Sequence, residues 1–136
     1  MWVTMVIRPI GIVVSLLLLL AGCGGPSSLD PISNSKTPKY GAIAISKRTL
    51  QSGMSWNDSS REEAETKALR ACGQYSNDCR IIVFVRNGCA ALAIGQGGWG
   101  SAWAPSLDVA EAKATSFCRQ NAKACKVDTA KFCSGT

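Results

Sequence analysis

SREEAETKALRACGQYSNDCRIIVF (residues 60–84) and SLDVAEAKATSFCRQNAKACKVDTA (residues 106–130) are two versions of one pattern. Laid on one another without gaps, at an offset of 46, they share eight of 25 residues. The shared positions are Ser60/Ser106, Ala64/Ala110, Glu65/Glu111, Lys67/Lys113, Ala68/Ala114, Cys72/Cys118, Gln74/Gln120 and Cys79/Cys125. Upstream, AIAIS (42–46) echoes ALAIG (91–95), and SGMSW (52–56) echoes WGSAW (99–103). A two-copy duplication is therefore expected, not a solenoid, which needs three or more units.

Each copy reads as strand, strand, helix, strand. Tyr40–Ser46 and Ala90–Gly95 are short apolar runs, and Gly53–Trp56 and Trp99–Trp103 alternate small and aromatic residues. Ser60 and Glu63 have capping-box spacing. Ser106 keeps the cap position in the second copy, but Val109 stands where the glutamate would be. Ala64, Ala68, Leu69 and Cys72 recur at helical spacing, as do Leu107, Ala110, Ala114, Phe117 and Cys118. Glu63 and Lys67 form an i, i+4 pair in the favoured order. Arg80–Arg86 and Lys126–Phe132 are the third strands. The expected fold class is α+β, two tandem β-β-α-β repeats packed as one small disulfide-stapled domain over residues 40–136.

Ahead of this domain, Arg8 precedes an apolar run from Ile10 to Ala21, 12 residues long. A bilayer span needs about 20. A basic residue, a short apolar core and small residues before a cleavage point describe a signal peptide. Leu20-Ala21-Gly22-Cys23 resembles a bacterial lipobox. That resemblance implies a signal peptide of residues 1–22, diacylglycerol on Cys23 and acylation of the new amino terminus. Met5 is an alternative start to Met1. Three acyl chains anchor stably where one binds only marginally. Gly24 follows the cysteine, not Asp, which implies the outer membrane in Gram-negative bacteria with the usual sorting machinery. Residues 23–39 are then the lipidated cysteine and a Gly/Pro/Ser-rich flexible tether. Ser33 and Lys36 have the spacing of a serine–lysine pair, but a floppy tether gives a nucleophile no rigid, desolvated site.

Of the seven cysteines, six remain once Cys23 is assigned to lipid. Six allow 15 connectivities. The repeat selects one: Cys72 with Cys79, Cys118 with Cys125, and Cys89 with Cys133 by elimination. Two short loops and one long loop contribute roughly 2–4 kcal/mol each. Zinc ligation needs closer spacing, and the chain has no histidine. Disulfides need an oxidising compartment, in agreement with the export signal.

YGAIAIS (40–46), the Ser-Trp at 55–56, the Ser-x-x-Glu-Ala helix ending in Cys72, and CRIIVFVRNGCAALAIG (79–95) resemble the domain-of-unknown-function 4189 family. The resemblance covers most of residues 40–133, and VFVRNGCAALAIG (83–95) is its most specific segment. The loop Gly95–Trp99 departs from it. It implies a small secreted or lipid-anchored α+β domain and brings no established activity and no catalytic residues. Some bacterial members look like partners of envelope-acting secreted toxins.

The function classes follow from what the residues can do. Without histidine there is no His-based triad or pH switch. Glu62, Glu63 and Glu65 are explained by a first helical turn. The glycine-rich GQGGWG (95–100) lacks the Lys-Ser/Thr of a phosphate loop and reads as a hairpin turn. No catalytic residue, metal site or cofactor is expected, and the chain is read as not an enzyme. Lys+Arg exceed Asp+Glu by 15 to 9, or 14 to 9 without Arg8. Scattered basic residues and an envelope compartment do not suit nucleic acid, whereas an acidic protein or anionic lipid fits them.

Protein binding remains, with Trp56, Trp99, Trp103, Arg86 and Asn87 as contact candidates, since Trp and Arg dominate interfaces. Trp56 and Trp103 occupy equivalent repeat positions and are expected in the core, which leaves Trp99, in the glycine loop, as the surface residue. Arg86-Asn87-Gly88 has the alternative of a plain tight turn. The expected function is that of a periplasm-facing outer-membrane lipoprotein, an immunity protein or inhibitor that neutralises an envelope-acting toxin or enzyme. A structural or secretion-accessory envelope lipoprotein is the alternative.

Overall fold

The two faces of β1 (Tyr40–Ser46) carry side chains of different size. Ala42 and Ala44 pack on Ala64, Ala68 and Cys72 of α1 (Arg61–Gly73). Ile43 and Ile45 turn the other way, into a separate cluster. β2 (Ser52–Asp58) and β3 (Cys79–Arg86) flank β1 in an antiparallel sheet of order β2-β1-β3. The second half repeats the arrangement with β4 (Gly88–Gln96), β5 (Gly98–Ala104), α2 (Leu107–Asn121) and β6 (Lys123–Ser134), in the order β5-β4-β6. The element order is consistent with two β-β-α-β units. This computed structural model describes residues 37–136. The expectations for Cys23, for the signal peptide of residues 1–22 and for most of the tether fall outside the described residues.

The two sheets face one another, with a helix on each outer side. Ile43, Ile45 and Val85 of the first sheet meet Ala90, Leu92 and Phe132 of the second. β1 lies against β4, β2 against β6, and β3 against β5. Stacked sheets stand about 10 Å apart, which leaves room for Ile and Leu between them. Ile43, Ile45 and Leu92 are fully buried there, each worth about 1.5–3 kcal/mol.

The helices press close to the sheets, and the strand positions directly beneath them are mostly Gly, Ala and Ser. A Cβ on Gly53 would stand 2.2 Å from the Cys72 backbone nitrogen, and one on Gly100 would stand 2.2 Å from that of Cys118. Gly53, Ser55 and Asp58 of β2, and Gly100, Ala102 and Ala104 of β5, are buried.

This close approach corrects the placement of the tryptophans. Because strand side chains alternate, a helix-facing row of small residues sends Trp56 and Trp103 to the opposite face. Both stand on edge strands, where the partner sheet does not cover them. Trp56 is 51% and Trp103 62% exposed, so neither belongs to the core. Trp99, expected at the surface, is half-buried and packs against the intersheet cluster. The helical stripes are narrower than expected too: Ala110, Ala114 and Cys118 are buried, whereas Phe117 is 47% exposed and Leu69 is also exposed.

Three disulfides staple the domain. Cys72–Cys79 and Cys118–Cys125 each tie a helix end to the following strand, with Cα atoms 6.0 Å apart in both. Cys89–Cys133 crosses from β4 to β6 over a separation of 44 residues. In the matching register position of the first sheet Tyr40 faces Arg86, so this third bridge has no counterpart there.

The helix starts differ. Ser60 Oγ accepts from the Glu63 backbone N–H at 3.1 Å. Glu63 reaches back one residue further than a capping box requires, accepting from the backbone N–H of Ser59 at 3.0 Å. Ser106 holds the N-cap position of α2, as expected, but its side chain makes no cap bond among the described residues. Lys67 Nζ donates to Glu63 at 2.7 Å and to the buried Asp58 at 2.5 Å, tying α1 to the end of β2. The Lys67 ammonium and the Ser59 donors hold the Glu63 carboxyl at about 2, below its ordinary 4.5. Asp58 and then Glu63 raise the Lys67 ammonium above 10.5.

A carboxylate with a lowered folded-state pKa stabilises fully above its unfolded value and loses that contribution as pH falls through the folded one. Urea midpoints should therefore hold steady from neutral pH down to about 5 and fall between about 4.5 and 2. Lys67 contributes below 10.5, with loss only at higher pH. Lys67→Met should lower the midpoint at neutral pH, by leaving the buried Asp58 with only the Ser55 hydroxyl and no cation, and flatten the acid limb. An unchanged acid limb in that variant would disprove the assignment.

Candidate functional site

The outer edge of β5 forms the floor of a groove that runs along the strand from Gly98 to Trp103. Two adjoining cavities of about 460 and 390 Å³ make it up, sharing Ser101 and Phe117. One wall is α2, through Lys113, Phe117, Gln120 and Asn121. The other wall is β3, through Arg80, Ile82 and Val83, with Lys47 at one end. The Ser101 hydroxyl donates to the Ile82 carbonyl at 3.5 Å, linking the two sheets beneath the groove.

Local structure fixes these groups. Gly97, at φ 88°, makes the β4–β5 turn that sends β5 back along β4, the hairpin expected of GQGGWG. Trp99 then packs inward and carries the Arg80 guanidinium 6.0 Å above its ring. Lys47 sits in the β1–β2 turn, which Leu50 closes by donating its N–H to the Ser46 carbonyl at 2.8 Å. That turn is anchored by the Ser46 hydroxyl donating to Asp78 at 2.6 Å. The Ser46 hydroxyl, and after it the Arg48 backbone N–H, hold the Asp78 carboxyl below its usual value.

Lys47, Arg80 and Lys113 are exposed and carry no ion pair among the described residues. Among the described residues, neither cavity is lined by a carboxylate. The groove is therefore aromatic and positively charged. Such a surface can bind acidic, partly apolar groups by stacking and charge-assisted hydrogen bonds.

The matching positions in the other half keep only part of this set. In the repeat Trp103 corresponds to Trp56, and in strand register Trp99 corresponds to Ser52. At the 46-residue offset, Phe117 corresponds to Ala71, and the free Lys113 corresponds to Lys67, which is bound to Asp58 and Glu63. Near Trp56 there is a smaller cavity of about 250 Å³, lined by Met54, Trp56, Lys131, Phe132 and Cys133.

Of the expected contact residues, the groove gathers Trp99 and Trp103. Trp56 lies beside β6 in the smaller cavity. Arg86 is exposed and lines neither part of the groove. Asn87 takes φ 51° in the inter-repeat turn and bonds Lys39 twice: its Oδ1 accepts at 2.8 Å and its backbone N–H donates at 2.9 Å. That accounts for Asn87 as the tight-turn alternative did, with an added clasp on the start of the domain. Sequence reasoning missed Lys47, Arg80, Lys113 and Phe117. The repeat held the signal for the last, an aromatic opposite Ala71. Among the described residues, no group of His, Cys, Asp and Glu could hold a metal ion.

The profile of the family described as domain of unknown function (DUF4189) matches residues 40–133. That span contains every residue of the groove. Neither a curated protein nor a solved structure matches the chain at a significant level.

Proposed function

The chain belongs to the DUF4189 family, and from that premise we propose that it is a bacterial lipoprotein that works by binding a protein. It is anchored through Cys23 to the outer membrane and faces the periplasm. Its domain arose by duplication of a β-β-α-β unit, and the second copy has diverged toward recognition. The partner is a secreted toxin or an envelope enzyme, which this protein neutralises as an immunity protein or inhibitor. The observation that supports this reading is the exposed Trp103–Phe117 pair beside unpaired cations, since aromatic and basic anchors carry most interface energy. A disulfide-stapled scaffold keeps the ordering cost of association low.

Two experiments test it. Cys23→Ser should move the chain from the membrane pellet to the soluble envelope fraction and abolish labelling by palmitate; a variant that stays in the pellet would remove the anchor from the account. The full chain, tagged at its C-terminus, is then used to capture partners from envelope and secreted fractions of producing and competing strains. Recovery of one secreted protein that stops killing cells when this chain is co-expressed supports the inhibitor. Recovery of resident envelope components, with no protection against any toxin, favours an accessory lipoprotein of a membrane assembly.

A further inference from the structure

A sheet edge invites pairing with another chain, and proteins normally block it with bulges, charges or proline. Each of the other three edges here is blocked. β2 carries a register shift and the buried Asp58. β3 carries a shift and two arginines, Arg80 and Arg86. β6 has two shifts, Ala124 at φ 53°, and lysines at 123, 126 and 131.

β5 has none of these protections. It pairs with β4 through seven consecutive residues without a shift, and GWGSAWA contains no charge and no proline. On the other side of the strand, its backbone groups have no hydrogen-bond partner among the described residues. The groove runs along this open edge, and its cations Lys47, Arg80 and Lys113 have no acidic neighbour in it among the described residues.

We infer that β5 receives an extended acidic segment of the partner protein as a fourth strand of its sheet. Main-chain hydrogen bonds to β5 supply affinity, and alternate side chains of the segment meet the walls. Carboxylates of the segment meet Lys47, Arg80 and Lys113. A second copy of this chain is disfavoured as the occupant, because β5-to-β5 pairing would bring those cations together with no acid in either strand. The inference deepens the protein-binding reading and rests on it.

The test uses the full chain and a displayed library of random peptides, followed by amide hydrogen exchange with the enriched peptides. Enriched sequences should alternate Asp or Glu with β-branched residues and should slow exchange in Gly98–Ala104. Reversing the groove cations (K47E/R80E/K113E) should weaken the best peptide by roughly tenfold or more. Reversing three exposed, unpaired cations elsewhere (R70E/R119E/K126E) should change it little. Enrichment without acidic residues, protection outside β5, or equal loss in the two variants would overturn the proposal and leave protein binding at another face. Protection of β5 without peptide, together with a dimer in solution, would identify a second copy as the occupant and also overturn it. Failure to capture any partner that gives protection would instead count against the inhibitor reading and leave the peptide result standing.

Discussion

Replacing Cys89 and Cys133 together by alanine lowers the folding stability by about 4 kcal/mol. The bridge closes a 44-residue separation, whereas the other two close seven residues each. The chain-entropy cost released on opening grows with loop length, so the local bridges are each worth about 2 kcal/mol. A domain of this size has a total stability of about 5–15 kcal/mol. Loss of the long bridge therefore removes a large share of it. It also frees β4, the central strand of its sheet, from β6 at the end where the inter-repeat turn begins. Urea unfolding of C89A/C133A, C72A/C79A and C118A/C125A under non-reducing conditions checks the order. If the long bridge costs no more than the short ones, loop closure is not the stabilising contribution.

Gly100→Ala destabilises the domain by about 3 kcal/mol, at the top of the usual range for overpacking. The added methyl would collide with backbone, namely the Cys118 nitrogen and the Ala114 carbonyl oxygen, and not with a side chain that can rotate away. α2 would have to lift off β5, and Ala110, Ala114 and Cys118 would lose their contacts with the sheet. Gly53→Ala should do the same to α1, by the matching clash with Cys72. Gly73→Ala is the control, since nothing lies within 4 Å of its added carbon at the end of α1. It should be neutral or slightly stabilising, because alanine is the better helix former. Thermal melts of the three variants compare these cases directly. A mild Gly100→Ala would show that the helix does not sit as close as described.

Much of this fold was legible in the sequence. The repeat located both helices and all six strands, and it set Cys72 beside Cys79 and Cys118 beside Cys125. Strand periodicity says which residues share a face, but not which face meets a helix. That depends on interlayer distance. Periodicity alone therefore places Trp56 and Trp103 in the core, although Gly53 and Gly100 on the same strands mark where a helix must press close. The groove was less legible, because Lys47, Arg80 and Phe117 are far apart in the chain and meet only when β3 stacks on β5. The exposure of Trp99 is misjudged because the residue ends the glycine-rich GQGGWG, although the strand expected over 99–103 already includes it.

The central claim, that this domain binds its partner through the β5 groove, is tested most directly by comparing two tryptophan sites in one capture experiment. Trp103 and Trp56 hold equivalent positions of the repeat and are both exposed, yet of the two Trp103 alone lines the groove. The account predicts that the wild-type chain and W56A capture the same partner, while W103A/F117A loses about 30-fold or more in affinity, the scale of an interface hot spot. If W103A/F117A captures the partner as well as wild type does, or if W56A alone loses it, the groove beside β5 is not the binding face.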